Sequence, residues 1–183
     1  MKNTQKNIIL GVTASIAIYK ACDLVRQLKE CGWAVDVVMT QEATELIRPI
    51  VFQSLSGRKV YSGGLFDAPD AWEIEHVSLA ARADLILIAP ATANVIAKLV
   101  GGICDDLLSC AVIASRAPVL IAPAMNVKMW NNAATQTNVK ILKSRGVCIV
   151  ETGTGDLACG YQGKGRMASH EKILSVVKAC LRK

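Results

Sequence analysis

The sequence predicts an α/β fold: one domain built on a parallel sheet, with helices packed on both faces. Three observations predict it. Short aliphatic and β-branched runs alternate with longer helical patterns along the whole chain. Two of those runs, DLILI (84–88) and PVLI (118–121), lack polar alternation and read as strands buried on both faces. The 183 residues, 52% hydrophobic and 20% charged, suit a single compact domain with a sizeable core.

The elements follow in order. Asn7–Leu10 (NIIL) is the first strand, followed by the turn GVTAS and a helix reaching about Cys31. Ala34–Met39 (AVDVVM) is the second strand, and Glu42–Ile47 begins another helix. Asp84–Ile88 and Pro118–Ile121 are each followed by a helical pattern, and a short strand, Val147–Val150, precedes a glycine-rich segment. The last helix, about Glu171–Leu181, places Ile173, Leu174, Val176, Val177 and Cys180 at core spacing. Right-handed crossovers then give a doubly wound, Rossmann-like (flavodoxin-like) three-layer fold with a parallel sheet. Ligands in such sheets bind beyond the carboxyl ends of the strands. That directs attention to Gly11–Ser15, Met39–Ala43, Ala89–Val95 and Ala122–Trp130.

Bulk properties exclude several classes. No apolar run reaches the roughly 18 residues a membrane span requires, and the N-terminus lacks a secretory pattern, so a cytoplasmic protein is expected. Seven cysteines, an odd number with no C-x-x-C pair, fit neither a disulfide framework nor a zinc site, and no metal is expected. The net charge of +6 is scattered, without basic runs interleaved with aromatics, which argues against nucleic acid. A small anionic ligand such as a phosphate ester suits this basic chain better.

Four stretches carry candidate chemistry. In GVTAS, Gly11 permits a tight turn, while Thr13 and Ser15 offer hydroxyls beside free N–H groups at a helix start; this is either a phosphate site or an ordinary N-cap. The further glycines of G-x-G-x-x-G are missing, so a single terminal phosphate fits better than a pyrophosphate. ATANVIAKLVGGICDDLLS (91–109) opens with small residues that let a backbone approach a ligand edge, and its Asp105 and Asp106 read as charges at a helix start. The two segments LILIAPATAN (85–94) and LIAPAMNVKMW (120–130) both end strands in Ala-Pro-Ala, the second bringing Met125, Asn126, Met129 and Trp130 together. Between Gly153 and Gly165 the chain carries five glycines around Cys159, which reads as a mobile loop: a lid holding a reactive thiol near Lys164 and Arg166, or a plain surface loop. His76 and His170 are the only histidines; His170 reads as a structural residue at the start of the last helix.

In order and combination these motifs resemble the flavin-dependent cysteine decarboxylases, most nearly the phosphopantothenoylcysteine decarboxylases of coenzyme A biosynthesis. The resemblance spans nearly the whole chain: GVTASIAIYK (11–20), His76 in HVSL, residues 91–109, PAMNVKMW (123–130) and GDLACGYQGKGRM (155–167). PAMNVKMW matches the family's P-x-M-N-x-x-M-W at every fixed position. One departure is Ala14, where the family usually carries glycine; the methyl is tolerated if that residue keeps a negative φ.

The resemblance implies bound FMN, with Gly11, Thr13, Ala14, Ser15 and Thr40 toward its phosphate and ribityl end. Thr92, Ala93, Asn94, Val95, Ala124 and Met125 would supply its apolar walls and backbone hydrogen bonds. It implies decarboxylation of 4′-phosphopantothenoylcysteine to 4′-phosphopantetheine. The thiol-bearing carbon is first oxidised to a thioaldehyde; CO2 leaves to give an enethiol, which is then re-reduced with the electrons the flavin had held. His76 would assist substrate activation, Asn126 would hold the substrate carboxylate, and Cys159 would return a proton. Ala158, Gly160 and Arg166 would touch substrate from the same flap, about 152–167. A homotrimer, or a dodecamer of four trimers, is implied, with His76 facing its own or a neighbour's flavin. So is a phosphopantothenate–cysteine ligase, fused or separate, making this chain a stand-alone decarboxylase or half of a bifunctional protein. The alternative enzyme is a peptidyl-cysteine decarboxylase, which releases the enethiol and needs no reductive cysteine. A non-catalytic flavoprotein that regulates a phosphatase is disfavoured by the presence of His76, Asn126 and Cys159 together.

Overall fold

The computed structural model describes residues 5–62, 75–156 and 162–182. Strand β1 (Asn7–Val12) passes through one 3-10 turn, Ile16–Ile18, into α1 (Tyr19–Glu30). Strand β2 (Ala34–Met39) precedes α2 (Gln41–Thr44) and α3 (Pro49–Ser56), and β3 (Val60–Ser62) precedes α4 (Glu75–Arg82). Strand β4 (Leu85–Ala91) leads into α5 (Ala93–Gly101) and α6 (Leu107–Ala114), and β5 (Val119–Pro123) into α7 (Val127–Asn131) and α8 (Ala133–Ser144). After β6 (Cys148–Ile149) come β7 (Gly153–Asp156), β8 (Gln162–Arg166) and α9 (His170–Leu181).

Six strands form one parallel sheet in the order β3-β2-β1-β4-β5-β6. The chain therefore winds one way from β1 to β3 and the other way from β4 to β6, the doubly wound Rossmann-like arrangement. Strand residues alternate between two apolar layers. Ile8, Leu10, Val37, Leu85 and Leu87 pack with Leu24, Phe52, Ile173 and Val177 of α1, α3 and α9. Ile9, Val38, Ile86 and Ile88 pack with Leu79, Ile96, Leu108 and Val139 of α4, α5, α6 and α8. Burial on both faces explains the unbroken apolar runs of the central strands. Among the described residues no helix is long and apolar enough to cross a membrane.

Local chemistry accounts for the helix ends. Pro49 opens α3, where its missing N–H costs nothing, and Gly57 ends it in the left-handed conformation. Asp106 caps α6 through a reciprocal box with Ser109, the structural role its position suggested.

Three features differ from expectation. First, β1 continues through Gly11 and Val12, which pair with β2 on one side, while Gly11 also pairs with β4 on the other. Gly11 serves packing as much as turning, because a Cβ there would lie 2.6 Å from Leu108 Cδ1. Second, the three-residue edge strand β3 has no apolar run to announce it. Third, the described parts of the glycine-rich segment are not irregular: β7 and β8 form an antiparallel ribbon. Its glycines permit close approach. Gly165 sits at φ +128°, a Cβ on it would meet the Met125 carbonyl oxygen at 2.5 Å, and its own carbonyl accepts from Met125 N–H at 2.9 Å.

Candidate active site

The carboxyl ends of β1, β4 and β5 open together at the point where the winding reverses. Between β4 and β5 the register shifts from Ile88 to Ala91, so Ala91 joins the same apolar layer as Ile86 and Ile88. The shift takes backbone groups out of the ladder. Thr13 recovers two of them: its hydroxyl donates to Pro90 O at 2.8 Å and accepts from Thr92 N–H at 3.0 Å. One buried side chain thus ties the end of β1 to the irregular end of β4 and fixes the start of α5. The Ala124 N–H bonds to Ala91 O at 2.9 Å and joins the third strand end to the same cluster.

These strand ends bound an open cavity of about 580 Å³, within the roughly 300–1,000 Å³ of small-molecule sites. Ala14, Ser15 and Ala17 form one wall, Thr92 and Ala93 a second, and Ala124, Met125 and Asn126 a third. Ribbon residues Gly165 and Arg166 close another side, and Met129, Tyr19 and Lys20 stand at the margin. Most of this wall is methyl, methylene or thioether. Two helical starts meet it. Ser15 caps the 3-10 turn by accepting from Ala17 N–H, and Thr92 caps α5 by accepting from Val95 N–H at 3.3 Å. First-turn amides at such helical starts are donors of the kind a phosphate or a heterocycle edge takes.

The expected residues fall into four groups. Ala14, Ser15, Thr92, Ala93, Ala124, Met125, Asn126 and Arg166 line the cavity. No described non-glycine residue has a positive φ, so Ala14 needs no left-handed backbone. Gly11, Thr13, Thr40, Asn94 and Val95 lie behind or beside the wall: Thr13 is the clamp, Val95 packs in the core, Thr40 precedes α2 with its N–H on Val12 O, and Asn94 is exposed on α5. His76 lies near the start of α4 and is not part of this wall. Ala158, Cys159 and Gly160 lie outside the described residues. His170 contacts Gln27, with Nδ1 at 3.2 Å from its amide nitrogen, consistent with a structural role.

Asn126 stands where β5 ends and α7 begins. Its side-chain oxygen accepts from Lys128 N–H at 2.8 Å, which caps α7 and orients the amide. The NH2 end of such an amide is a donor of the kind a carboxylate takes.

The residue the motifs underplayed is Lys20. It sits in the first turn of α1, at the cavity margin, with Arg166 nearby. Burial and then the Arg166 charge hold the Lys20 ammonium below its usual range. Neither cation is ion-paired with a carboxylate among the described residues. Two like charges at an apolar cavity create a place for an anion, whose binding relieves their repulsion. Nothing in the sequence sets Lys20 apart from the other polar residues of α1; the fold brings Arg166 near it.

A sequence model of the family described as Flavoprotein matches residues 1–182. The Coenzyme A biosynthesis bifunctional protein CoaBC of Bacillus subtilis (strain 168) is 44% identical over 173 residues, which are 94% of this chain and 42% of that protein. This chain therefore spans less than half the length of the curated relatives it matches. A solved structure of a PPC decarboxylase mutant complexed with pantothenoylaminoethenethiol superposes with a TM-score of 0.87 at 28% identity, covering 98% of this chain and 100% of that one. The FMN-dependent cysteine decarboxylase SpaF gives a TM-score of 0.84 at 29% identity, covering 97% and 96% of the two chains.

Proposed function

This chain belongs to the Flavoprotein family, and from that premise we propose that it binds FMN and decarboxylates 4′-phosphopantothenoylcysteine to 4′-phosphopantetheine in coenzyme A biosynthesis. The observation that carries the reading is an apolar cavity at the winding reversal, holding one oriented amide, Asn126, and two cations without carboxylate partners among the described residues, Lys20 and Arg166. The relatives named for coenzyme A biosynthesis and for PPC decarboxylase point the same way.

The residues fit the cofactor. A flat ring needs apolar walls, which Ala93, Ala124 and Met125 offer, and a phosphate needs N–H donors, which the starts at Ser15 and Thr92 offer. FMN, when bound, supplies the two-electron sink that a cysteine-derived carboxylate lacks. The chain then has four tasks. Asn126 holds the substrate carboxylate and orients the bond to be broken. His76 assists activation of the substrate as a base or hydrogen-bond partner. Cys159 returns a proton to carbon as the enethiol is reduced. Lys20 and Arg166 hold the substrate phosphate. That last task disfavours the peptidyl-cysteine alternative, since such a peptide has no phosphate to match the cations.

The proposal includes a homotrimer, alone or as four trimers in a dodecamer, acting in the cytoplasm, with the substrate supplied by a phosphopantothenate–cysteine ligase, fused or separate. Two features support an assembly: His76 lies off the wall of its own chain's cavity, and Val77 and Ile113 on the packed helices α4 and α6 are about half exposed. His76 would then serve a neighbouring subunit's flavin.

The test is anaerobic incubation of the purified holoprotein with 4′-phosphopantothenoylcysteine, followed by mass spectrometry. Loss of CO2 with formation of 4′-phosphopantetheine is expected; unchanged substrate in the presence of bound flavin contradicts the assignment. Cys159→Ser should still release CO2 but accumulate oxidised enethiol product. A normal yield of phosphopantetheine from that variant removes Cys159 from the reaction.

A further inference from the structure

Apart from the residues that line the cavity, a second polar assembly joins the edge of the sheet to α4. The described residues of α4, Glu75–Arg82, take their orientation from what they pack against. Its buried face is small: Leu79 and Ala80 pack inward, and Ser115 Oγ donates to Ala80 O at 3.1 Å. The two ends are fastened separately. At the first residue, Glu75 pairs with Lys59. At the last, Arg82 Nε donates to Asp36 Oδ2 at 2.9 Å and Nη2 donates to the Tyr61 hydroxyl at 2.7 Å. The Arg82 carbonyl also accepts from Asn7 Nδ2 at 3.4 Å.

Tyr61, on β3, belongs to both fastenings. Its hydroxyl holds Arg82, and the Lys59 ammonium that holds Glu75 lies 4.9 Å from its ring centroid. Behind Arg82 the anchor is firm. Asp36 is 3% exposed at its side chain and also accepts from Arg58 Nε at 2.6 Å. Burial alone would raise its carboxyl, but hydrogen bonds from Arg58, Arg82 and Asn7 outweigh that and keep it ionised, below the usual carboxylate range.

His76 directly follows the clipped Glu75. We infer that Lys59, Tyr61 and Arg82 are positioning residues, which clip both ends of α4 to the edge strand and so set where His76 is presented to the reacting substrate. The inference rests on the proposed role of His76. A purely structural network would have no reason to matter to the rate of a folded, flavin-loaded enzyme. A positioning network does, because a displacement of about 1 Å of a reacting group can cost on the order of 10²-fold.

The test uses the flavin-loaded enzyme carrying Tyr61→Phe, which removes only the hydroxyl, and Lys59→Met, which keeps the aliphatic stem, singly and together. Flavin content, melting temperature, kcat and KM are measured for each, in the native and His76→Asn backgrounds. The expected result is a fall in kcat of roughly tenfold for the double variant, with KM and flavin content unchanged, and no further fall when His76 is already replaced. Unchanged kcat per bound flavin, with or without a lower melting temperature, overturns the inference. So does an equal proportional loss in both backgrounds, since that loss does not pass through His76. If His76→Asn itself keeps full activity, the assigned role of His76 fails instead, which separates the two claims. Arg82→Lys is the second route: it keeps the charge and loses the two-direction fork, and it should reproduce the same pattern.

Discussion

The two ends of the sheet treat charge in opposite ways. Toward the amino ends of the strands, Asp36 is matched by Arg58, Arg82 and Asn7, and Asp84 by Lys6 and the Asn7 N–H. At the carboxyl ends, Lys20 and Arg166 face an apolar cavity, with no carboxylate paired to either among the described residues. The lesson concerns where the ligand's charge belongs. A satisfied ionic network adds little net stability over an apolar one but fixes geometry; unmatched cations beside an apolar wall are a demand for an anion from outside. On the proposed function, a phosphorylated, carboxylated substrate would complete Lys20 and Arg166.

The largest effect should come from reversing the oriented amide Asn126. On its proposed role, Asn126→Asp places a carboxylate where the substrate's own would sit, and turnover should fall by roughly 10²-fold or more, with the flavin spectrum retained. Wild-type rates from Asn126→Asp would move carboxylate binding elsewhere. Next is Lys20→Met, which keeps the stem and removes the charge. Its kcat/KM for the phosphorylated substrate should drop by roughly 10- to 100-fold, while that for the same substrate lacking phosphate should stay near the parent value. An equal loss on both substrates would take the phosphate away from Lys20.

At the carboxyl ends too stands Thr13, whose contribution is structural. Thr13→Val leaves Pro90 O and Thr92 N–H without the hydroxyl that joins them. It should lower the unfolding free energy by about 1–2 kcal/mol, read by denaturant melts, and loosen flavin binding at the start of α5. The smallest effect at neutral pH belongs to two carboxylates, Asp36 toward the amino ends of the strands and Asp106 at the start of α6. Asp36 and Asp106 are both held below the usual range: burial works against ionisation, but hydrogen bonds to the charged form prevail. A depressed carboxyl contributes stability that is fully present above its unfolded value near 4 and is lost as pH falls through the lower folded value. Acid melts should steepen below about pH 4, and Asp36→Asn should flatten that slope while changing little of its shape above pH 6.

Legibility in the sequence followed burial. The second strand was read at its true limits because β2 is apolar at every position but Asp36 and is bounded by Gly32 and Thr40. Strands β1 and β4 ran on past Gly11 and Pro90, residues that usually stop strands, because neighbouring strands extend there and Leu108 and Thr13 fill what the glycine and the irregularity leave open. Strand β3 and the β7–β8 ribbon were missed for the opposite reason. They are held by partners, an edge pairing and the Met125 backbone; β3 is only three residues long, and the ribbon is built mainly of glycine and polar residues, which have low strand propensity. The cavity's walls were visible as strand ends, because the winding rule places ligands there. Its cationic margin was not, since Lys20 looks like any polar residue on an amphipathic helix until Arg166 is brought beside it. Thr13 was legible as a polar residue at a strand end, but its two backbone partners lie nearly 80 positions away and depend on a local register shift.

The central claim is that the cavity at the strand ends holds a flavin. Stripped, folded protein should be titrated with FMN while flavin fluorescence and circular dichroism are followed. The account predicts saturation at one FMN per chain, with Thr13→Val weakening it. A protein that keeps its native circular dichroism and takes up no FMN at a large excess would contradict it.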